Sequence, residues 1–87
     1  MLNQAILVGR IFAIEDGAIT IKIPRNEEKE DVDIITARVE GEINTSIQKY
    51  CHVGDVVGIK GKMRTDENGM YLKADKVSFL TSKVEED

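Results

Sequence analysis

Apolar and polar residues alternate along most of this chain, and alternation with a period of two predicts β-strands. The clearest example is the segment AITIKI at 18–23, whose three isoleucines fall on one face while Thr20 and Lys22 fall on the other. Similar runs rich in Ile and Val extend this interpretation along the chain. They predict five strands, at residues 2–14, 18–23, 32–39, 56–64 and 70–80.

Short turns separate the first pair and the last pair of predicted strands. Asp16-Gly17 and Asn68-Gly69 are dipeptides that favour tight hairpin loops. We expect Asn68-Gly69 at the tip of a turn that spans 65–69. Gly9 lies inside the first strand, where a glycine often marks a bulge or a bend.

The period changes between the third and fourth predicted strands. Ile43, Ile47 and Tyr50 are spaced as on one face of a helix, and they predict a short helix over 42–50. We therefore expect Tyr50 to lie in the core. Phe79 follows another apolar residue at strand spacing, and we expect it in the core as well.

Three strands, one short helix and two strands suit the OB-fold, an all-β architecture in which five strands form a Greek-key barrel. The chain of 87 residues suits one such domain. We place this domain at 1–81 and expect the acidic residues 82–87 to form a short disordered tail. Because there is one cysteine, no signal-peptide pattern and no long apolar run, the sequence indicates a cytoplasmic protein.

The net charge of −4 at first argues against a nucleic-acid partner. The acids are concentrated, however, with five in residues 26–33 and three in residues 83–87. The rest of the chain holds ten bases and eight acids, so the body of the domain is mildly basic. The acidic loop at 26–33 is a candidate shield over a basic groove.

Three segments of the chain carry motifs of a known family, in that family's order and spacing. The longest is 33–65, which carries Gly41, Tyr50, Gly54 and the pattern V-x-I-x-G-x-x-R-T. The others are the run NQAILVGRI at 3–11 and the run KVSFL at 76–80. Together they resemble the bacterial single-stranded DNA-binding proteins, in which the two shorter runs are similar to the opening and the closing strand.

The resemblance implies sequence-tolerant binding of single-stranded DNA in replication, recombination or repair, without catalysis. It also implies a homodimer or homotetramer from bacteria, a phage or a mobile element, with replication or recombination proteins as further candidate partners and no membrane contact. This sequence departs from the family at two stacking positions, where Ile34 replaces a Trp and Glu40 replaces a Phe. The family's glycine-rich linker and acidic tip are also missing, so we expect a short divergent member that binds weakly.

Single-strand binding requires cations for the phosphates. Lys60, Lys62 and Arg64 are spaced by two, so they share one face of the fourth strand. Met63, like the other residues between them, is then expected to face the core. The remaining candidate cations are Arg10, Lys22 and Lys73.

Flat side chains for base stacking are scarce, since the chain has two Phe, two Tyr and no Trp. Phe12 and Tyr71 are the best candidates, because Tyr50 and Phe79 are expected in the core. Each stacked base contributes roughly 1–3 kcal/mol. We therefore predict weak, salt-sensitive and sequence-tolerant binding.

Metal binding and catalysis find no support in the sequence, and no cofactor is expected. Cys51 and His52 are adjacent, so on a strand they point to opposite faces, and zinc needs about four ligands. We expect a buried Cys51 and an exposed His52.

Two alternatives to DNA binding stay open: a protein–protein adaptor of the primosome type, favoured by the few aromatics and the net acidity, and a structural OB module.

Overall fold

The computed structural model describes residues 1–25 and 31–80. The predicted tail at 82–87 and most of the acidic loop at 26–33 lie outside these residues. The elements are β1 (Ala5–Glu15), β2 (Ala18–Pro24), β3 (Val32–Arg38), α1 (Gly41–Tyr50), β4 (Val56–Asp66) and β5 (Gly69–Phe79). The predicted order of five strands with one helix between the third and the fourth is confirmed.

The strands close into a barrel in the order β1-β2-β3-β5-β4. All neighbouring strands are antiparallel except β3 and β5, which run parallel and meet only at Ala37–Leu72 and Arg38–Lys73. β1 pairs with both β2 and β4 and so joins the two ends of the sheet. This closed five-stranded barrel is the predicted OB-fold.

The barrel interior is filled by the apolar residues that alternation placed on one face of each strand. Helix α1 contributes Ile47, which is fully buried, and the chain after the helix contributes Cys51. No polar or charged residue of the described ranges is buried. The largest fully buried side chains are Ile19, Ile21, Ile47, Ile59, Leu72, Val39 and Val57.

The two hairpins differ in where the glycine sits. Asp16-Gly17 forms the predicted turn, with Gly17 at φ +89°, a conformation that favours glycine. The second turn is tighter than predicted, because β4 continues to Asp66 and β5 begins at Gly69. Its loop is therefore Glu67-Asn68, and the Asp66 carboxylate accepts a hydrogen bond of 2.8 Å from the Asn68 backbone N–H.

The bulge in β1 lies at Phe12 rather than at Gly9. The register with β2 shifts between Ile11 and Ala13, which leaves Phe12 as the extra residue. Gly9 serves a different purpose, because a Cβ there would come within 2.7 Å of the Lys22 carbonyl oxygen. The glycine thus allows β2 to approach β1 closely.

Three residues predicted to face the core are exposed instead. Tyr50 is 59% exposed, because the helix ends there and the next residue, Cys51, takes the inward position. Phe79 is 48% exposed, since β5 ends with it at the rim of the barrel. Met63 is exposed because the pairing of β4 with β1 stops at Gly61, so the strand continues beyond the barrel wall.

Beyond the barrel wall, β4 and β5 pair with each other as a projecting hairpin, here called the arm and comprising residues 63–71. The Asn3 side-chain amide holds the base of the arm, since it donates to the Met63 carbonyl (2.8 Å) and accepts from the Met63 N–H (3.0 Å). The arm therefore leaves the barrel in a fixed direction, over the outer face of β3.

Candidate nucleic-acid interface

An open groove of about 420 Å³ lies between the outer face of β3 and the arm. Strand alternation turns Ile35 and Ala37 inward and leaves every second residue of β3 outward. The arm closes the other side with two methionines and a tyrosine. The groove lining includes Ile34, Thr36, Arg38, Met63, Met70 and Tyr71.

Arg38 and Tyr71 form a stacked pair at one end of this groove. The Arg38 guanidinium carbon lies 3.7 Å from the centre of the Tyr71 ring. The same guanidinium donates a hydrogen bond of 3.0 Å to Asp66 Oδ2. Hydrogen bonds from the Asn68 N–H and then from Arg38 lower the pKa of Asp66, so this carboxylate stays ionised.

Sequence reasoning missed Arg38 as a site residue. Its outward position could have been found, because it continues the alternation of Ile34 and Thr36 along β3. Its partners could not have been found in this way. They depend on the parallel junction of β3 with β5, which places Arg38 opposite Lys73 in the register.

Phe12 and Lys22 form a second cation–aromatic pair, on the outer face of β1 and β2. The Lys22 ammonium lies 4.5 Å from the centre of the Phe12 ring, which is 48% exposed. Lys22 is also the register partner of Arg10 on one side and of Ile34 on the other. The pair therefore adjoins the groove through Ile34.

The remaining cations near the groove come from the hairpin of β4 and β5. Lys62 faces Lys73 in the register, and Arg64 faces Tyr71. Asp75, the extra residue at a bulge in β5, lies 3.9 Å from both lysine ammonium groups. Exposed ion pairs of this kind are worth little, so both lysines stay available to another anion.

Lys60 lies apart from this cluster, although it shares a strand face with Lys62 and Arg64. Its register partners are Ile6 and Lys76, and it lines a separate depression with Ser78 and Leu80. Of the eight predicted site residues, Tyr71 lines the groove, while Lys62, Arg64 and Lys73 lie on the adjoining hairpin. The pair of Phe12 and Lys22 lies beside Ile34. Arg10 lies one strand farther away, lines a separate depression together with Lys22, and donates a hydrogen bond of 2.9 Å to the Gly54 carbonyl. Lys60 falls beside an apolar face instead.

The neighbouring Cys51 and His52 separate as expected. Cys51 is buried, and its burial, followed by the nearby Asp55 charge, raises the pKa of its thiol. The His52 side chain is 80% exposed. Within residues 1–25 and 31–80, no three His, Cys, Asp or Glu side chains converge as they would around a metal ion.

The described part of the chain contains no helix with the length and apolar character needed to span a membrane.

Comparison with solved structures supports the fold. The mitochondrial single-stranded DNA binding protein of S. cerevisiae superposes with a TM-score of 0.77 at 12% identity, over 92% of this chain and 95% of that one. A small single-stranded DNA-binding protein from Streptomyces coelicolor superposes with a TM-score of 0.73 at 13% identity, over 92% and 94%. At these identities the likeness concerns the architecture alone.

No protein-family model matches the chain. Sequence comparison with curated proteins is more informative. The single-stranded DNA-binding protein of Staphylococcus epidermidis is 32% identical to this chain, over 93% of the chain and 70% of that protein. Similarity at this level and over this length shows that the chain belongs to the family of single-stranded DNA-binding proteins.

Proposed function

We propose that this protein binds single-stranded DNA along the groove between β3 and the arm, without sequence preference. The observation that carries the proposal is the groove itself, because apolar and flat side chains line it and cations flank it on both sides. This combination suits a strand whose bases lie in the groove while its phosphates follow the rim. Family membership supports DNA binding over an adaptor role and over catalysis.

The phosphates are neutralised from two directions in this arrangement. Lys22 acts from the β2 side, next to Ile34, while Lys62, Arg64 and Lys73 act from the hairpin side. Arg10 contributes less, because its guanidinium donates to the Gly54 carbonyl and it lines a separate depression. Cations that contact phosphates release counterions, so the affinity falls as salt rises. Lys60 contributes little, because it lies beside Ile6 and away from the groove.

The bases are held by few flat groups, which limits the affinity. Tyr71 lines the groove and Phe12 lies beside it, and each ring already carries a cation of the protein on one face. Because a stacked base contributes roughly 1–3 kcal/mol, two such positions support weak binding. Main-chain and apolar contacts in the groove make no distinction between bases, so the binding tolerates any sequence.

Fluorescence anisotropy with a labelled oligo-dT of about 35 nucleotides tests this function at low and at physiological salt. We expect binding that weakens steeply with salt and is much weaker for a duplex of the same length. Absence of binding at low salt would overturn the proposal. Equal affinity for duplex and single strand would show that the groove does not accommodate bases.

Self-association is the second part of the proposal. Ile6, Val8 and Leu80 are each at least half exposed, and they surround Gly58 on the outer face of β1 and β4. Such a contiguous apolar surface is typical of an interface, and a small core gains stability from a partner. We propose that a second copy of the chain covers it.

Light scattering of the protein at tens of micromolar checks this assembly. We expect a dimer or tetramer that Val8→Asp dissociates, because the carboxylate would be buried in the interface. Val53→Asp is the matched control, since Val53 is 65% exposed against 52% for Val8 and lies in the turn before β4, outside the group of Ile6, Val8 and Leu80. A monomeric parent protein would contradict the assembly.

A further inference from the structure

We propose that Arg38 itself forms a stacking surface of the groove, so that a DNA base packs on its guanidinium plane while Tyr71 supports the other side of that plane. The inference rests on the proposed function and adds a residue and a contact to it. Arg38 would then act on the base as well as on the backbone charge.

The first argument is the geometry of the pair. The Arg38 guanidinium carbon lies over the Tyr71 ring, 3.7 Å from its centre, which is van der Waals contact. A contact this close allows the guanidinium to lie flat on the ring, which is the arrangement that the inference requires. Arg38 covers one face of the Tyr71 ring, and on that side the accessible flat surface belongs to Arg38, whose side chain is 47% exposed.

The second argument is that Arg38 is held in place. Asp66 accepts a hydrogen bond of 3.0 Å from the guanidinium, and Asp66 is itself fixed by the Asn68 N–H at 2.8 Å. The carboxylate belongs to the end of β4 and the arginine to the end of β3. A side chain anchored in this way loses less entropy on binding than a free one.

The third argument is the chemistry of the surroundings. Ile34, Met63 and Met70 give the groove apolar walls beside the guanidinium, and Ile34 is 55% exposed. Guanidinium planes are among the surfaces on which unpaired bases stack, and an arginine also keeps its charge for the adjoining phosphate. One residue thus offers a flat surface and a cation at the same point.

Arg38→Lys removes the planar guanidinium and keeps the positive charge, so it tests base stacking separately from phosphate attraction. The ligands are oligo-dT of about 35 nucleotides and an abasic deoxyribose-phosphate chain of the same length, both at low salt. We expect Arg38→Lys to weaken oligo-dT binding about five- to tenfold and to leave binding of the abasic chain and the salt dependence unchanged. Arg25→Lys is the matched control, because Arg25 is also an exposed arginine held by carboxylates, with Asp31 at 2.7 Å and Asp33 at 2.9 Å, and it lies outside the groove lining. Its effect should be small on both ligands.

A second variant tests the support from the tyrosine. In a Tyr71→Leu background, Arg38→Lys should cost much less, since the guanidinium has lost the ring that holds its plane. Thermal unfolding of each variant confirms that the fold is retained.

Three outcomes would overturn the inference. If Arg38→Lys binds oligo-dT as tightly as the parent protein, the plane plays no part, although the proposed function stands. If the loss is equal on the abasic chain, Arg38 acts on phosphates or on the position of the arm. If the parent protein binds no oligo-dT at all, the proposed function fails and this inference fails with it.

Discussion

The two cation–aromatic pairs beside the groove look alike but differ in what holds the cation. The Arg38 guanidinium lies over the Tyr71 ring at 3.7 Å and is anchored by Asp66. Lys22 lies farther from Phe12, at 4.5 Å, and pairs with no carboxylate of the described residues. Arg38 is planar and anchored, so it can stay in place when a base binds. Lys22 offers no flat surface, so it must move aside before a base can stack on Phe12. A cation on an aromatic ring can therefore be a fixed stacking surface at one site and a side chain that DNA displaces at the other.

The largest expected effects are on stability, and they concern two glycines that allow close approach of the strands carrying the two pairs. A Cβ at Gly61 would meet the carbonyl oxygen of Lys73, which faces Arg38, and a Cβ at Gly9 would meet the carbonyl oxygen of Lys22 at 2.7 Å. Backbone atoms cannot move aside cheaply, and the contact at Gly61 is the closer. We expect Gly61→Ala to lower the free energy of unfolding by about 3 kcal/mol and Gly9→Ala by about 1–2 kcal/mol.

Urea unfolding measures both changes. Gly58→Ala is the matched control in β4, because a Cβ there meets the Leu80 side chain at 3.5 Å and the Leu7 carbonyl oxygen and Val8 side chain at 3.9 Å, all ordinary contacts. Its stability should stay close to that of the parent. An equal loss at Gly58 and Gly61 would show that β4 tolerates no side chain at its glycines, irrespective of the approach of β5.

The next effects concern the rings. Tyr71→Ala removes the ring and the support of Arg38 together, so we expect oligo-dT binding to weaken about tenfold or more. Phe12→Ala removes a ring that is already covered by Lys22, and we expect a loss of about threefold. Anisotropy titration measures the two losses. A larger loss at Phe12 would reverse the order and make the displaceable pair the principal contact.

Alternation was sufficient to predict the strands, because their inward and outward residues differ so clearly, while the barrel followed from the order of the elements and from the family resemblance. In β2, Ile19 and Ile21 are almost completely buried, whereas Lys22, the residue after Ile21, is exposed. Alternation failed to predict burial where β4 continues beyond the core. Met63 keeps the inward parity of β4, but beyond the barrel wall that side faces the groove.

The candidate site was predictable in its parts more than in its contacts. Arg10 and Lys22 were found as cations, yet their position opposite each other follows from a register that the bulge at Phe12 helps to set. The contact of Arg38 with Tyr71 joins two strands that are distant in the sequence and meet at only two residue pairs. Local patterns carry no information on such a junction.

A smaller effect is expected at the anchor of Arg38. Asp66→Asn and Glu67→Gln each remove one negative charge from the same hairpin, so both reduce repulsion of the phosphates equally. Only Asp66→Asn also weakens the hold on Arg38. We expect Glu67→Gln to bind oligo-dT slightly more tightly than the parent and Asp66→Asn about threefold more weakly than Glu67→Gln. If Asp66→Asn binds more tightly than its control, Asp66 keeps Arg38 away from DNA, and the anchored pair is a brake.

The smallest effect tests whether a plane can be added to the second pair. Lys22→Arg keeps the charge and places a guanidinium near the Phe12 ring, where it can stack in the way that Arg38 stacks on Tyr71. We expect oligo-dT binding to strengthen about twofold, with unchanged salt dependence and unchanged binding of an abasic chain. Lys60→Arg is the control, because Lys60 lies beside Ile6 rather than a ring and should show no gain. If Lys22→Arg binds oligo-dT no more tightly than Lys60→Arg, a guanidinium that no carboxylate holds in place does not support base stacking. The difference between the two pairs then lies in the anchoring of Arg38 by Asp66.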